Sequence, residues 1–322
     1  MTTVPYVLQR LRKQPRFVDD APQFVEWQAI HQAADSNLSP FRRAFLAYVK
    51  NLRASLDMGA LARTDPDLMV GKIPFPQLRE SFDNAITPVV EKTLMAGAAA
   101  SAPFFERQIR HEIQVRKQFG FSFTASNPHA VRFARLHAGD LITGLSIESQ
   151  RAVRLLIARA VAGRASLSEV ARRIERFIGL NTRQMTAVEN ARAAWTAQGI
   201  ASREIERRAR QLGDRFLQQR ALDIARTETI WAANAGQQAL WQAAIDEGVL
   251  PANTERRWIV TPDDRLCPFC RSMAGQVMPM QSNFRGGTVA RIIGAGVRTS
   301  PNVLHPPLHP RCRCAVRLVF RR

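Results

Sequence analysis

The residues best able to do chemistry in this chain lie toward its C-terminal end. All four cysteines fall there, in Cys267-Pro268-Phe269-Cys270 and in His309-Pro310-Arg311-Cys312-Arg313-Cys314, with a stretch rich in glycine and proline between the pairs. Two close pairs separated by a loop suit a tetrahedral zinc site, because each chelating turn supplies two ligands and pins a segment too irregular to build its own core. The competing reading is disulfide pairing in an oxidising compartment, or reduced thiols in a small core. The ligand set is either Cys267, Cys270, Cys312 and Cys314, or one in which His309 replaces a member of the last pair. Pro310 breaks regular structure directly after His309 and leaves that imidazole on a turn. Ala315 to Phe320 reads as a strand, and on its flat extension Cys312 and Cys314 would stand about 6.5 Å apart. Two thiolates on one zinc must come within about 4 Å, so the backbone has to kink there.

A second candidate is Glu228, in the run Arg226-Thr227-Glu228. Leu217, Ala221, Ile224, Trp231 and Ala235 recur at spacings of three and four, and Glu228 falls in the same apolar stripe. A buried carboxylate is costly unless paired, so an arginine from a neighbouring helix is the expected partner, with Arg226 itself off the stripe. A general-base role would need a second acid or a nucleophile that the pattern does not present. The chain is therefore expected not to be an enzyme, with Arg226, Glu228, Trp258 and Asp264 as structural anchors.

The elements that position these residues are mostly helical. No proline occurs between Pro128 and Pro251, in a segment dominated by Ala, Arg, Leu, Glu and Gln. That composition predicts a helical domain over 126–250. Gly144, Gly163, Gly179, Gly199 and Gly213 divide it, with Ser146, Ser166, Asn181 and Ser202 as N-caps, and a long last helix runs from about Asp214 to Glu247. Residues 1–125 read as a helical region of unknown role. Its stripes are at Phe24–Ile30 and Phe41–Leu56, and a longer segment from Gln77 to Lys117 is interrupted at Pro88, Gly97 and Pro103. A run of small residues covers 96–102, and Phe119 to Thr124 alternates like a short strand. After Gly248, Arg256 to Thr261 reads as a strand with Ala274 to Met278 as its partner, and Val289 to Ile293 as a helical or extended patch. The expected fold is mainly α, a multi-helix N-terminal and central region followed by a small α+β zinc-binding module at 251–322.

At 322 residues the chain can bury a substantial core without disulfides. It has no apolar run long enough for a membrane span and no signal-peptide pattern, which predicts a cytosolic protein with reduced thiols and no membrane partner. The net charge is +19, and residues 261–322 carry 10 basic side chains against 2 acidic ones. Arginine outnumbers lysine 41 to 5, which coding bias explains, but bias does not explain the shortage of acids. Such a surface attracts phosphate backbones without reading sequence.

Taken together, Arg226-Thr227-Glu228, Trp258 to Asp264, Cys267 to Cys270, and Pro306 to Cys314 resemble the phage head morphogenesis family, the Mu F-like minor head proteins. The helices before them, with Asn127-Pro128, Gly179-Leu180 and Thr182-Arg183-Gln184, are similar as well, so the likeness covers roughly 128–320. The resemblance implies a minor capsid protein in the virion or procapsid, assembled in the host bacterial cytoplasm. Its implied partners are the portal protein and other capsid components, with non-specific contact to packaged double-stranded DNA in some relatives. The main alternative is an HNH-like metal-dependent nuclease using Asn302, His305 and His309 beside the cysteines, with Asp263 and Asp264 for a divalent ion. It lacks a His-His or Asp-His doublet, and prolines flank His305. A non-enzymatic DNA-binding regulator rests on charge alone.

Overall fold

A computed structural model describes residues 22–75, 77–112, 127–261, 263, 266–286, 288–290, 297–299 and 302–319. The Phe119–Thr124 alternation and Asp264 lie outside them. The described chain is mainly helical with a small three-stranded antiparallel sheet. The helices are α1 (Pro22–Asp35), α2 (Leu38–Ala54), α3 (Met58–Arg63), a 3-10 turn (Pro66–Lys72), α4 (Gln77–Glu112), α5 (Pro128–Ala162), α6 (Leu167–Phe177), α7 (Thr182–Ala197) and α8 (Ser202–Asp246). The C-terminal part adds β1 (Glu255–Ile259), α9 (Pro268–Met273), β2 (Val277–Pro279), β3 (Thr288–Ala290), β4 (Val297–Thr299) and β5 (Ala315–Val319). No described helix is long and apolar enough to cross a membrane.

Helix α8 is the axis of the molecule, and every side chain from Ala232 to Ala244 on it is buried. A helix can be covered all round only if its neighbours approach closely, and here small residues allow it. A Cβ on Gly236 would lie 1.8 Å from the Leu94 carbonyl oxygen, and one on Gly97 would lie 2.1 Å from that of Ala233. The run of small residues at 96–102 is thus the place where the α4 and α8 backbones touch. Helix α4 continues through Pro88 and Pro103, although each proline removes a ladder bond. The stripe Phe82, Ile86, Val90, Leu94, Ala98 and Phe105 is buried along it, and that packing outweighs the local preference to break.

Two further expected breaks are absent. Helix α5 runs through Gly144 and Ser146, and α8 begins at Ser202 rather than near Asp214. Gly213 stays helical because it gives room to the Phe177 ring, which would lie 2.8 Å from an added Cβ. The N-cap of α8 is Ala201, without a side-chain bond. Ser166 caps α6 by accepting from the Glu169 N–H, and Asn181 forms a reciprocal capping box with Gln184.

The largest apolar core joins α2, α4, α5, α6, α7 and the first half of α8. A second joins Ala98 and Phe105 of α4 and Leu240, Trp241 and Ala244 of α8 to Trp258, Met273, Phe284, Leu308, Val316 and Leu318. Strand β1 is central in the order β2-β1-β5, with Arg256 opposite Met278 and Leu318, and Trp258 opposite Val316. Val289 and Ala290 belong to a separate β3–β4 ladder, and residues 291–296 lie outside the described part.

Candidate metal centre

Cys267 is the N-cap of α9, and its sulfur accepts from the Cys270 N–H at 3.3 Å, with Pro268 opening the helix. A cap and first turn bring two sulfurs to one side, which is why Cys-x-x-Cys chelates. His309 supplies the opposing group: its Nε2 is 3.0 Å from Cys267 Sγ and 3.1 Å from Cys270 Sγ. Its Nδ1 lies 2.7 Å from the Pro310 carbonyl oxygen. A carbonyl only accepts, so Nδ1 carries the proton and the Nε2 lone pair faces the sulfurs, the tautomer a ligating histidine needs.

The second cysteine pair reaches the same place. Cys270 Sγ is 3.7 Å from Cys312 Sγ, close to the roughly 3.8 Å edge of a tetrahedron with metal–sulfur bonds of 2.3 Å. Cys267, Cys270 and His309 form one group of mutually close donors, and Cys270, Cys312 and Cys314 another. Cys270 is the shared corner. The required kink is present: Arg311 has a φ of 63°, and β5 begins only at Ala315, so neither Cys312 nor Cys314 lies in a flat ladder.

Cys270, Cys312 and Cys314 are buried, and they cannot all be thiolates without a cation. The hydrogen bond to Cys312, then that to Cys314, and burial push the Cys270 thiol far above its usual value. The same bond with Cys270 holds Cys312 well below its own. A soft or borderline cation would replace the shared proton, and thiolate with imidazole is a donor set that binds such ions. The cluster can therefore bind a metal ion.

Four contacts tie this knuckle to the helices. Arg311 donates twice to Asp223 of α8, at 2.6 Å each, and its N–H donates to Thr227 Oγ1 at 3.2 Å. Arg313 makes a two-pronged ion pair with Asp263. The Arg313 carbonyl accepts from Trp27 Nε1 at 2.6 Å and lies 3.1 Å from His31 Nε2, both on α1. Loss of water around His31 pulls its pKa down to about 4. Next to this contact, Glu26 of α1 is buried and accepts from Gln237 at 2.9 Å, and Gln237 also meets Ser101 of α4. Burial raises the Glu26 pKa to about 7, against the opposing pull of Arg317 and the Gln237 bond.

Behind the knuckle, Arg256 is fully buried, and among the described residues no acidic group is a hydrogen-bond partner. It donates to Gln238 Oε1 and to the carbonyls of Leu304, Pro279 and Ser282, at 2.6 to 2.8 Å, with its guanidinium 5.0 Å from the Phe284 ring centre. Burial lowers its pKa to about 10. The cation fastens two loops to β1 and α8.

Of the residues singled out in the sequence, Cys267, Cys270, His309, Cys312 and Cys314 come together. Trp258 is fully buried edge-on to Phe284 at 5.2 Å, Glu228 is buried on α8, and Arg226 is exposed. His305 is elsewhere, buried with its ring 5.3 Å from Trp231. Thr227, the middle residue of its motif, makes the contact to the knuckle, and Asp223 lies one turn before it. Sequence spacing gave no signal for Arg256, Trp27 or His31, whose partners are remote along the chain.

These features define a class: a helical protein whose C-terminal α+β knuckle of thiols and imidazole is docked on a long central helix. Residues 186–317 match the family described as phage Mu protein F like protein. The match runs from α7 to β5 and includes all the sulfur and imidazole donors. No curated protein and no solved structure matches the chain.

Proposed function

We propose that the chain is a minor capsid protein that joins the phage head at the portal during procapsid assembly, with one structural zinc held by Cys270 and three of Cys267, His309, Cys312 and Cys314. The observation that carries this reading is the union of the family match with a site built to be rigid. The donors outnumber the four positions of a tetrahedral ion, so no position is left open for a water or substrate. The family motifs are joined to one another through Thr227, Asp223 and Arg311, as fold anchors would be. Asp264 is assigned a structural role next to the Asp263–Arg313 pair, and Arg226 and Glu228 the same role on α8. Residues 251–322 act as a module on the helical part.

Contact with packaged double-stranded DNA is a second element of the proposal. Arg257, Arg271 and Arg285 are exposed on the module, while Asp263 is already engaged by Arg313. A nuclease is disfavoured because His305 is buried against Trp231 and belongs to neither group of close donors among the described residues. The test is co-expression with the portal protein, followed by size-exclusion chromatography and a zinc assay on the same peak. Co-elution with about one zinc per chain supports the proposal, by the stoichiometry of a single tetrahedral site. A chain that never meets the portal but cuts DNA with magnesium overturns it.

A further inference from the structure

We infer that α1 is a clasp closed by the metal, so that loading of the knuckle and docking of the N-terminal helix form one linked equilibrium; this rests on the metal reading proposed above. Arg313 lies between two of the sulfur donors, Cys312 and Cys314, and its carbonyl is the point on which α1 closes. Trp27 Nε1 donates to it at 2.6 Å, and His31 Nε2 lies 3.1 Å away, with the two rings 4.2 Å apart between centres. One carbonyl oxygen can serve two donors only if its position is fixed. The segment 309–314 has no strand ladder to fix it, since β5 begins at Ala315 and Cys312 N–H is held by a turn bond to the His309 carbonyl. Arg311 is held by Asp223 and Thr227 and the Arg313 side chain by Asp263, and the donor cluster converges on the same segment from the other side of the chain, through Cys312 and Cys314.

Without a cation, three buried sulfurs crowd together with no countercharge, and the turn has reason to relax. The Arg313 carbonyl then leaves Trp27 and His31. Among the described side chains of α1, the buried apolar ones are Phe24, Ile30 and Ala34, the last two in a small cluster with Ile230 and Ala233. A helix held by few apolar contacts depends more on its polar ones. Release would pull the buried Glu26 of α1 away from Gln237 of α8 and uncover Gln237 with Ser101 of α4. Because binding free energies are reciprocal, α1 docking must tighten the metal by the factor that the metal tightens α1.

The test uses the full chain, zinc-loaded and then stripped with a chelator, with zinc quantified in each sample and amide exchange read by mass spectrometry. Peptides covering 22–35 should exchange roughly tenfold faster after stripping and recover when zinc is returned, while 182–197 stays protected. Trp27→Phe should speed exchange of α1 in the loaded protein and weaken zinc about fivefold, the weight of one hydrogen bond. Unchanged protection of 22–35 between a loaded and a stripped sample overturns the coupling alone. Absence of zinc from the purified chain overturns the metal reading and the clasp together.

Discussion

The N–H of Arg311 donates to the hydroxyl of Thr227 across 84 residues of sequence, and the same hydroxyl donates onward to the Asp223 carbonyl at 2.8 Å. Asp223 in turn holds the Arg311 guanidinium. The knuckle is thus seated on α8 by the turn of chain that bends between His309 and Cys312. Thr227→Val should cost about 1 kcal/mol of stability, as the loss of one hydrogen bond. It should also speed zinc release to a competing chelator. Wild-type release kinetics in Thr227→Val would show that the seat does not support the site.

Cys270 belongs to both groups of donors, whereas each other donor belongs to one. Cys270→Ser should therefore abolish zinc retention through gel filtration. Cys267→Ser and Cys314→Ser each leave four donors and should keep substoichiometric or weakly held metal. Equal loss in all three variants would mean that the donors do not share a single ion.

The crossing of α4 and α8 leaves no room for a methyl group. Gly236→Ala should destabilise the fold by more than about 3 kcal/mol or prevent its accumulation, since backbone, not a flexible side chain, stands in the way. Gly144→Ala is the control: nothing lies within 4 Å of its added Cβ, and it is exposed inside α5. That change should stabilise by about 0.5–1 kcal/mol. Urea unfolding of the two variants tests both signs.

Glu26 titrates high because it is buried, and the direction of its effect on stability follows. Its folded pKa is about 7, against 4.5 for an ordinary glutamate carboxyl. The carboxyl contributes most when protonated in both states, below about 4.5, and that contribution is lost as pH rises through 7. The difference amounts to roughly 3 kcal/mol. Glu26→Gln should remove this part of the pH dependence and stabilise α1 docking at pH 8, measured as slower amide exchange in 22–35. Faster exchange in Glu26→Gln at pH 8 would assign the anchoring to the ionised carboxylate and its neighbour Arg317.

The helical class, the small C-terminal sheet and the gathering of the cysteines with His309 were legible in the sequence, because each depends on short-range pattern. Caps at Ser166 and Asn181 were legible for the same reason. The continuity of α4 through Pro88 and Pro103, and of α8 through Gly213, was not. Those outcomes depend on what lies across the interface: the α8 backbone in one case and the Phe177 ring in the other. Arg256 was invisible as an anchor because its partners are carbonyls, which any residue provides. Thr227 lies between the charged Arg226 and Glu228, and its short hydroxyl side chain is what fits under the Arg311 turn.

The close approach of Gly97 to Ala233 and of Gly236 to Leu94 also limits how this protein can vary. Neither helix can gain a methyl group at the crossing while the other keeps its course, so the two stretches must change together or not at all. A chimera taking α4 from one such chain and α8 from another should assemble only when each brings glycine to its own side of the crossing. The N-terminal part and the knuckle-bearing part are, in packing, a matched pair.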